Sequence, residues 1–188
     1  LLSDDTRSAV EACRAFGAEV IFRDDEYIVN GFDGVPLTPG DVINVGNSGT
    51  TLRIAMMTAG LAEGATVFTG DDQIRRRPLG PLIKAMNNLG AEAFSTRNNG
   101  MAPVVVRGKL KGGETELDAV TSQYLTSVLI NAPLVPDDTV VRVTRLNEVP
   151  YVDMTLWWLE KLGTQYSNED YRVFTIKGGQ KYKPFSVT

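Results

Sequence analysis

Apolar residues recur along this chain in matched sets. Val10, Cys13 and Phe16 stand three apart, as do Ile83, Met86 and Leu89, and again Leu156, Leu159 and Leu162. That step keeps side chains on one face of an α-helix, so each trio predicts a helix with one buried stripe. Cys13 lies on its stripe and reads as a packed core thiol. Each stripe runs into a glycine: Phe16-Gly17-Ala18-Glu19, Leu89-Gly90-Ala91-Glu92 and Leu162-Gly163-Thr164-Gln165. Glycine there reads as the left-handed residue that ends a helix. Short runs at 65–68, 104–107, 139–143 and 172–176 have the composition of strands.

The three glycines are separated by 73 residues in both steps (90 − 17 and 163 − 90). The register holds elsewhere, with Thr51-Leu52 answering to Tyr124-Leu125 and Thr66-Val67-Phe68 to Thr139-Val140-Val141. Solenoid repeats run to roughly 20–50 residues, so this period predicts a few larger α/β units around a pseudo-symmetry axis, forming a single domain over 1–188. Each full unit reads helix, strand, helix, strand, then one or two more strands. The first unit enters at its second helix, over 3–16, with Ser3 or Asp4 as N-cap. Its first helix would fall before Leu1, so the register predicts a truncated first unit.

Composition narrows the chemistry. There is no histidine and one cysteine, which excludes imidazole bases, zinc-type clusters and internal disulfides. No metal and no cofactor is implied. A net charge of −4 argues against a nucleic-acid partner. No apolar run approaches the roughly 20 residues of a membrane span, and nothing reads as a signal peptide, so a cytoplasmic protein without a membrane partner is expected.

Three segments are suited to anions. Gly46-Asn47-Ser48-Gly49-Thr50-Thr51-Leu52-Arg53 runs from a glycine-bearing loop into an apolar helix. Glycine admits close backbone approach and free N–H groups at a helix start favour negative charge; an ordinary cap by Ser48 or Thr50 accounts for the same letters. Val120-Thr121-Ser122-Gln123-Tyr124-Leu125 occupies the equivalent place one unit on, with the same two readings. Rotational pseudo-symmetry points both helix starts toward one end of the domain. Thr69-Gly70 through Arg75-Arg76-Arg77-Pro78 links a strand to a helix, with Pro78 suited to the first turn. Its cations oppose the helix dipole unless an anion lies near; Asp71 and Asp72 are possible partners, and arginine's forked donors suit phosphate or carboxylate. In the next unit this loop is Asn147-Glu148-Val149-Pro150-Tyr151, where Tyr151 lies at the same rim or packs on the helix start. Trp157-Trp158, in mid-helix, reads as core and packing surface.

Taken in order, these segments resemble the EPSP synthase family of enolpyruvyl transferases. The matching stretches are Leu2-Ser3-Asp4-Asp5-Thr6, Gly46 to Thr50, Thr69-Gly70 through Arg77-Pro78, Thr121 to Thr126, Pro150-Tyr151-Val152-Asp153 and Lys177-Gly178-Gly179-Gln180. The resemblance implies a pseudo-threefold domain of βαβαββ units, forming half of a two-domain enzyme. That enzyme moves the enolpyruvyl group of phosphoenolpyruvate to the 5-hydroxyl of shikimate-3-phosphate, releasing phosphate. It implies Thr121, Ser122, Gln123 and Tyr151 on shikimate-3-phosphate, and Gly49, Arg77 and Gln123 on phosphoenolpyruvate, supported by Asn47, Ser48 and Thr50. No catalytic residue is assigned, because the family's acid/base carboxylate belongs to the second domain; the chain alone is expected to bind without turnover. Glu148 departs from the serine often found there, and an acidic group beside an anionic substrate calls for another role. Two other readings stay open. One is the sibling enzyme acting on a UDP-amino sugar, although the 71–77 loop lacks that enzyme's cysteine. The other is a non-catalytic anion-binding module on the same fold.

Overall fold

Ser3 opens the first helix by accepting a 3.2 Å hydrogen bond from the Thr6 amide. That helix, α1 (Asp4–Ala15), leads into the hairpin β1 (Glu19–Arg23) and β2 (Glu26–Asn30). A computed structural model describes residues 3–24 and 26–184 of the chain; Leu2, in one of the stretches named above, lies outside them. Two full units follow. The first is β3 (Ile43–Asn44), α2 (Gly49–Ala59), β4 (Ala65–Thr69), α3 (Gly80–Asn88), β5 (Glu92–Ser95) and β6 (Val104–Arg107). The second is β7 (Gly113–Ala119), α4 (Ser122–Asn131), β8 (Thr139–Leu146), α5 (Val149–Lys161), β9 (Tyr166–Glu169) and β10 (Val173–Ile176).

Both units are βαβαββ with one topology. Their sheets run β3-β4-β6-β5 and β7-β8-β10-β9, each with its first pair parallel and its other pairs antiparallel. The α1-β1-β2 segment repeats the last helix and hairpin of that pattern. Gly17, Gly90 and Gly163 end their helices alike, at φ of 98°, 101° and 73°. In each case the next residue's amide reaches back to a carbonyl in the last turn: Ala18 to Cys13, Ala91 to Met86 and Thr164 to Leu159, at 2.9–3.1 Å.

The central pair α2 and α4 is apolar around most of its circumference and accordingly buried. Leu52, Met56, Leu125 and Val128 are essentially inaccessible, packed with Phe68 and Phe174; each large side chain so buried contributes about 1.5–3 kcal/mol. Symmetry-equivalent residues meet across this pair. Gln123 Nε2 donates to Thr50 Oγ1 at 2.9 Å near the helix starts, and Thr58 Oγ1 donates to Asn131 Oδ1 at 3.1 Å near their ends. The partners in both bonds are 73 residues apart. The sequence period is thus a contact in space.

Three expectations are corrected. Cys13 is exposed, because α1 turns Ala12 and Phe16 into the core instead. Its thiol lines an open apolar depression with Phe32 and Ile54, and that surrounding raises its pKa. Trp157 and Trp158 are 42% and 40% exposed, since α5 buries Val152, Thr155, Leu156 and Leu159. Pro78 precedes α3 by two residues, and Pro81 occupies its first turn. Among the described residues no helix is long and apolar enough to cross a membrane.

Candidate functional site

The starts of α2 and α4 lie side by side, tied by the Gln123–Thr50 bond. Each opens on a hydroxyl cap. Ser48 accepts from the Thr51 amide at 3.3 Å, and Thr121 accepts from the Gln123 amide at 3.5 Å. Two adjoining cavities of ≈ 420 and ≈ 390 Å³ share Thr50 and Gln123 in their walls. Their neighbourhood gathers every site residue expected from the sequence. Asn47, Ser48, Gly49, Thr50, Arg77 and Gln123 line one; Ser122, Gln123, Thr50 and Tyr151 line the other, with Thr121 capping the adjacent helix. A wider depression of ≈ 500 Å³ sits at the opposite ends of α2 and α4, near Thr58 and Asn131. It collects none of these residues.

The first cavity has one cation in its wall, Arg77, and a second, Arg53, is hydrogen-bonded to its Gly49 and Gln123. The arginines of the 75–77 run diverge: Arg75 pairs with Asp72, whereas Arg77 Nη2 donates to Asn47 Oδ1 at 3.1 Å. Arg53, one turn into α2, is 6% exposed. Its Nη1 donates to Gly49 O at 3.1 Å and to Gln123 Oε1 at 2.7 Å. Its guanidinium carbon lies 5.3 Å from the centre of the Tyr124 ring. Among the described residues it makes no ion pair, and its buried Nε has no partner. Both guanidiniums converge on Gly49: an added Cβ there would stand 2.5 Å from Arg53 Nη1 and 2.8 Å from Arg77 Nη1. Asp4 and Asp5, from the first turn of α1, also line this cavity.

The second cavity carries an acid. Glu148 Oε2 accepts from the Ser122 amide at 3.1 Å, from Ser122 Oγ at 2.9 Å and, more weakly, from Thr121 Oγ1 at 3.5 Å. These bonds, the Ser122 amide first, hold its pKa below the ordinary carboxylate value, with a smaller contribution from Arg53. Tyr151 stands beside it, 58% exposed. The two cavities adjoin through Thr50 and Gln123, one with Arg77 in its wall and the other with the Ser122 donors held by Glu148.

Arg53, Asp4 and Asp5 are contributors the sequence reading did not single out as site residues. For Arg53 a signal existed: a lone charge one turn after Gly49, on a helix otherwise uncharged. For Asp4 and Asp5 none did, since acidic residues in a first helical turn are common for local reasons.

Comparison with known proteins follows the geometry. The family model described as EPSP synthase (3-phosphoshikimate 1-carboxyvinyltransferase) matches residues 1–188. The 3-phosphoshikimate 1-carboxyvinyltransferase of Acetivibrio thermocellus is 71% identical over 188 residues, covering 100% of this chain and 44% of that protein. That of Ruminiclostridium cellulolyticum is 56% identical with the same coverage. The solved EPSP synthase from Acinetobacter baumannii superposes with a TM-score of 0.83 at 24% identity, covering 97% of this chain and 41% of that one. At that identity the likeness bears on the fold. The chain spans less than half the length of the curated relatives it matches.

Proposed function

The chain belongs to the EPSP synthase family, and from that premise we propose that it forms the shikimate-3-phosphate-holding half of a two-domain enolpyruvyl transferase. The observation that carries this reading is the pairing of the α2 and α4 starts through Gln123 and Thr50, with two guanidiniums converging over Gly49. Two small anionic ligands held side by side need two such positions. The one walled by Arg77 suits phosphoenolpyruvate, with Arg77 supplying forked donors and Gly49 leaving room for them. The α4 start suits a phosphomonoester, through the Ser122 amide and the hydroxyls of Thr121 and Ser122. Gln123 sits between them and touches both helix starts.

In the reaction the 5-hydroxyl oxygen of shikimate-3-phosphate bonds to the enolpyruvyl carbon. The C–O bond to the departing phosphate breaks, and the hydroxyl proton is released. The role assigned to this half is orientation and charge neutralisation of both substrates. Proton transfer is assigned to a second domain, and this chain alone should bind without turnover.

Titration with shikimate-3-phosphate, followed by amide resonances, tests the reading. Shifts concentrated at 48–51, Arg77 and 121–124 are expected. An unresponsive chain, or shifts centred on the depression around Phe32 and Leu134, would refute it.

A further inference from the structure

Among the described residues, four α-helices open on a residue whose side chain can accept a hydrogen bond, and one behaves differently. Ser3, Ser48 and Thr121 each accept from an amide of their own helix. Glu148 opens α5 and makes no such bond. Its carboxylate reaches across to the start of α4, where one oxygen takes the Ser122 amide and hydroxyl. The backbone at Glu148 is left-handed, at φ 61° and ψ 45°, a conformation unfavourable for a residue with a Cβ. So α5 gives up its own cap, and its opening residue adopts a strained conformation, while an anion is placed on the neighbouring helix.

The position it takes is the one just assigned to a phosphomonoester. The same amide and hydroxyl cannot serve a carboxylate and a phosphate together, and two anions sharing that space repel. A second observation shows the need for negative charge nearby. Arg53 is buried and lacks an ion pair among the described residues, and its Nε has no partner. Glu148 feels its charge. The other charged pair near the base of α4, Asp118 and Arg145, is satisfied internally at 2.6 Å. The titratable and charged side chains facing Glu148 are therefore Arg53 of α2 and Tyr151 of α5.

Building on the proposed function, we propose that Glu148 is a resident anion that closes the α4 start in the unliganded protein and must swing out when a phosphomonoester binds. It is thereby a specificity-determining residue of that site. Glu148 lies at the surface, so water can solvate its carboxylate once displaced. A neutral ligand cannot displace it; a dianionic phosphate, with more acceptor oxygens, can.

The test compares the protein with its Glu148→Gln variant, which keeps the shape and removes the charge. Affinities for shikimate-3-phosphate and for inorganic phosphate are measured by titration from pH 8 to pH 4, following the Ser122 amide. The variant should bind both about tenfold more tightly at neutral pH, the scale of one charge-assisted hydrogen bond. Because the folded-state pKa is lowered from 4.5, the carboxylate stays charged through neutral and mildly acidic pH. The ratio of affinities should hold steady there and fall toward one only below that value. Protonation of the ligand, near pH ~6 for a phosphomonoester, cancels in the ratio. Equal or weaker binding by the variant at neutral pH, or a ratio that already falls toward one between pH 8 and pH 5, overturns the inference. If inorganic phosphate follows the expected pattern while shikimate-3-phosphate binds neither protein, the inference stands and the substrate assignment falls.

Discussion

The starts of α2 and α4 are the same structural device used twice. Each is a loop after a strand, a hydroxyl cap, and a helix buried on nearly all sides. Their surroundings are opposite. Over the α2 start stand the guanidiniums of Arg53 and Arg77, with glycine beneath them. Over the α4 start stand a serine hydroxyl and a carboxylate. At the 73-residue spacing, Gly49 answers to Ser122, Arg53 to Thr126 and Arg77 to Pro150. Three positions thus leave a duplicated scaffold with two guanidiniums over one helix start and none over the other. Repetition supplied the geometry, and a few unsymmetrical side chains made the two starts chemically different.

The comparison breaks most sharply at Gly49. A methyl group there collides with Arg53 Nη1 and Arg77 Nη1, so Gly49→Ala should push both cations off the α2 start. Calorimetric titration should show phosphoenolpyruvate binding weakened by about 2–3 kcal/mol, the scale of a lost charge-assisted hydrogen bond. Shikimate-3-phosphate should lose much less. Equal losses would mean the two starts act as one undivided site.

Arg53→Met asks whether the buried cation serves ligand or fold. A desolvated charge without a counter-ion stabilises little, and replacing it by an apolar side chain of similar length is often nearly neutral. Urea denaturation should therefore shift by no more than about 1 kcal/mol, while anion affinity at the α2 start falls by about 1.5–2 kcal/mol. A large stability loss with unchanged affinity would make Arg53 a structural tie.

Much of this was legible in the letters because the repeat doubles every signal. Gly17, Gly90 and Gly163 marked the helix ends, and their spacing alone put Ser122 in register with Gly49. Periodicity failed where burial depends on neighbours that a single helix does not encode. Cys13 sits on a perfect three-step stripe, yet α1 is rotated so that Ala12 and Phe16 carry its contact. Trp157 and Trp158 are the largest apolar residues on α5, but the buried face runs through Val152, Leu156 and Leu159. Arg53 escaped notice because its role requires Gln123, 70 residues on. Glu148 was visible as an oddity, while its reach to a neighbouring helix was not.

The mildest expected change is at the α4 start itself. Thr121→Val keeps the β-branched shape and deletes one hydroxyl. Its bonds to the Gln123 amide and to Glu148 are both 3.5 Å, long enough that each is weak. Loss of the cap should cost about 0.5–1 kcal/mol of stability, read as a lower denaturation midpoint. Affinity for shikimate-3-phosphate should fall by a similar amount, and phosphoenolpyruvate affinity should hardly move, since none of the Arg77, Asn47 and Gly49 contacts passes through Thr121. The selectivity of that small loss is the informative part. If both ligands weaken together, Thr121 supports the pair of helices as a whole, and the division of labour between their two starts is not drawn where the hydroxyls suggest.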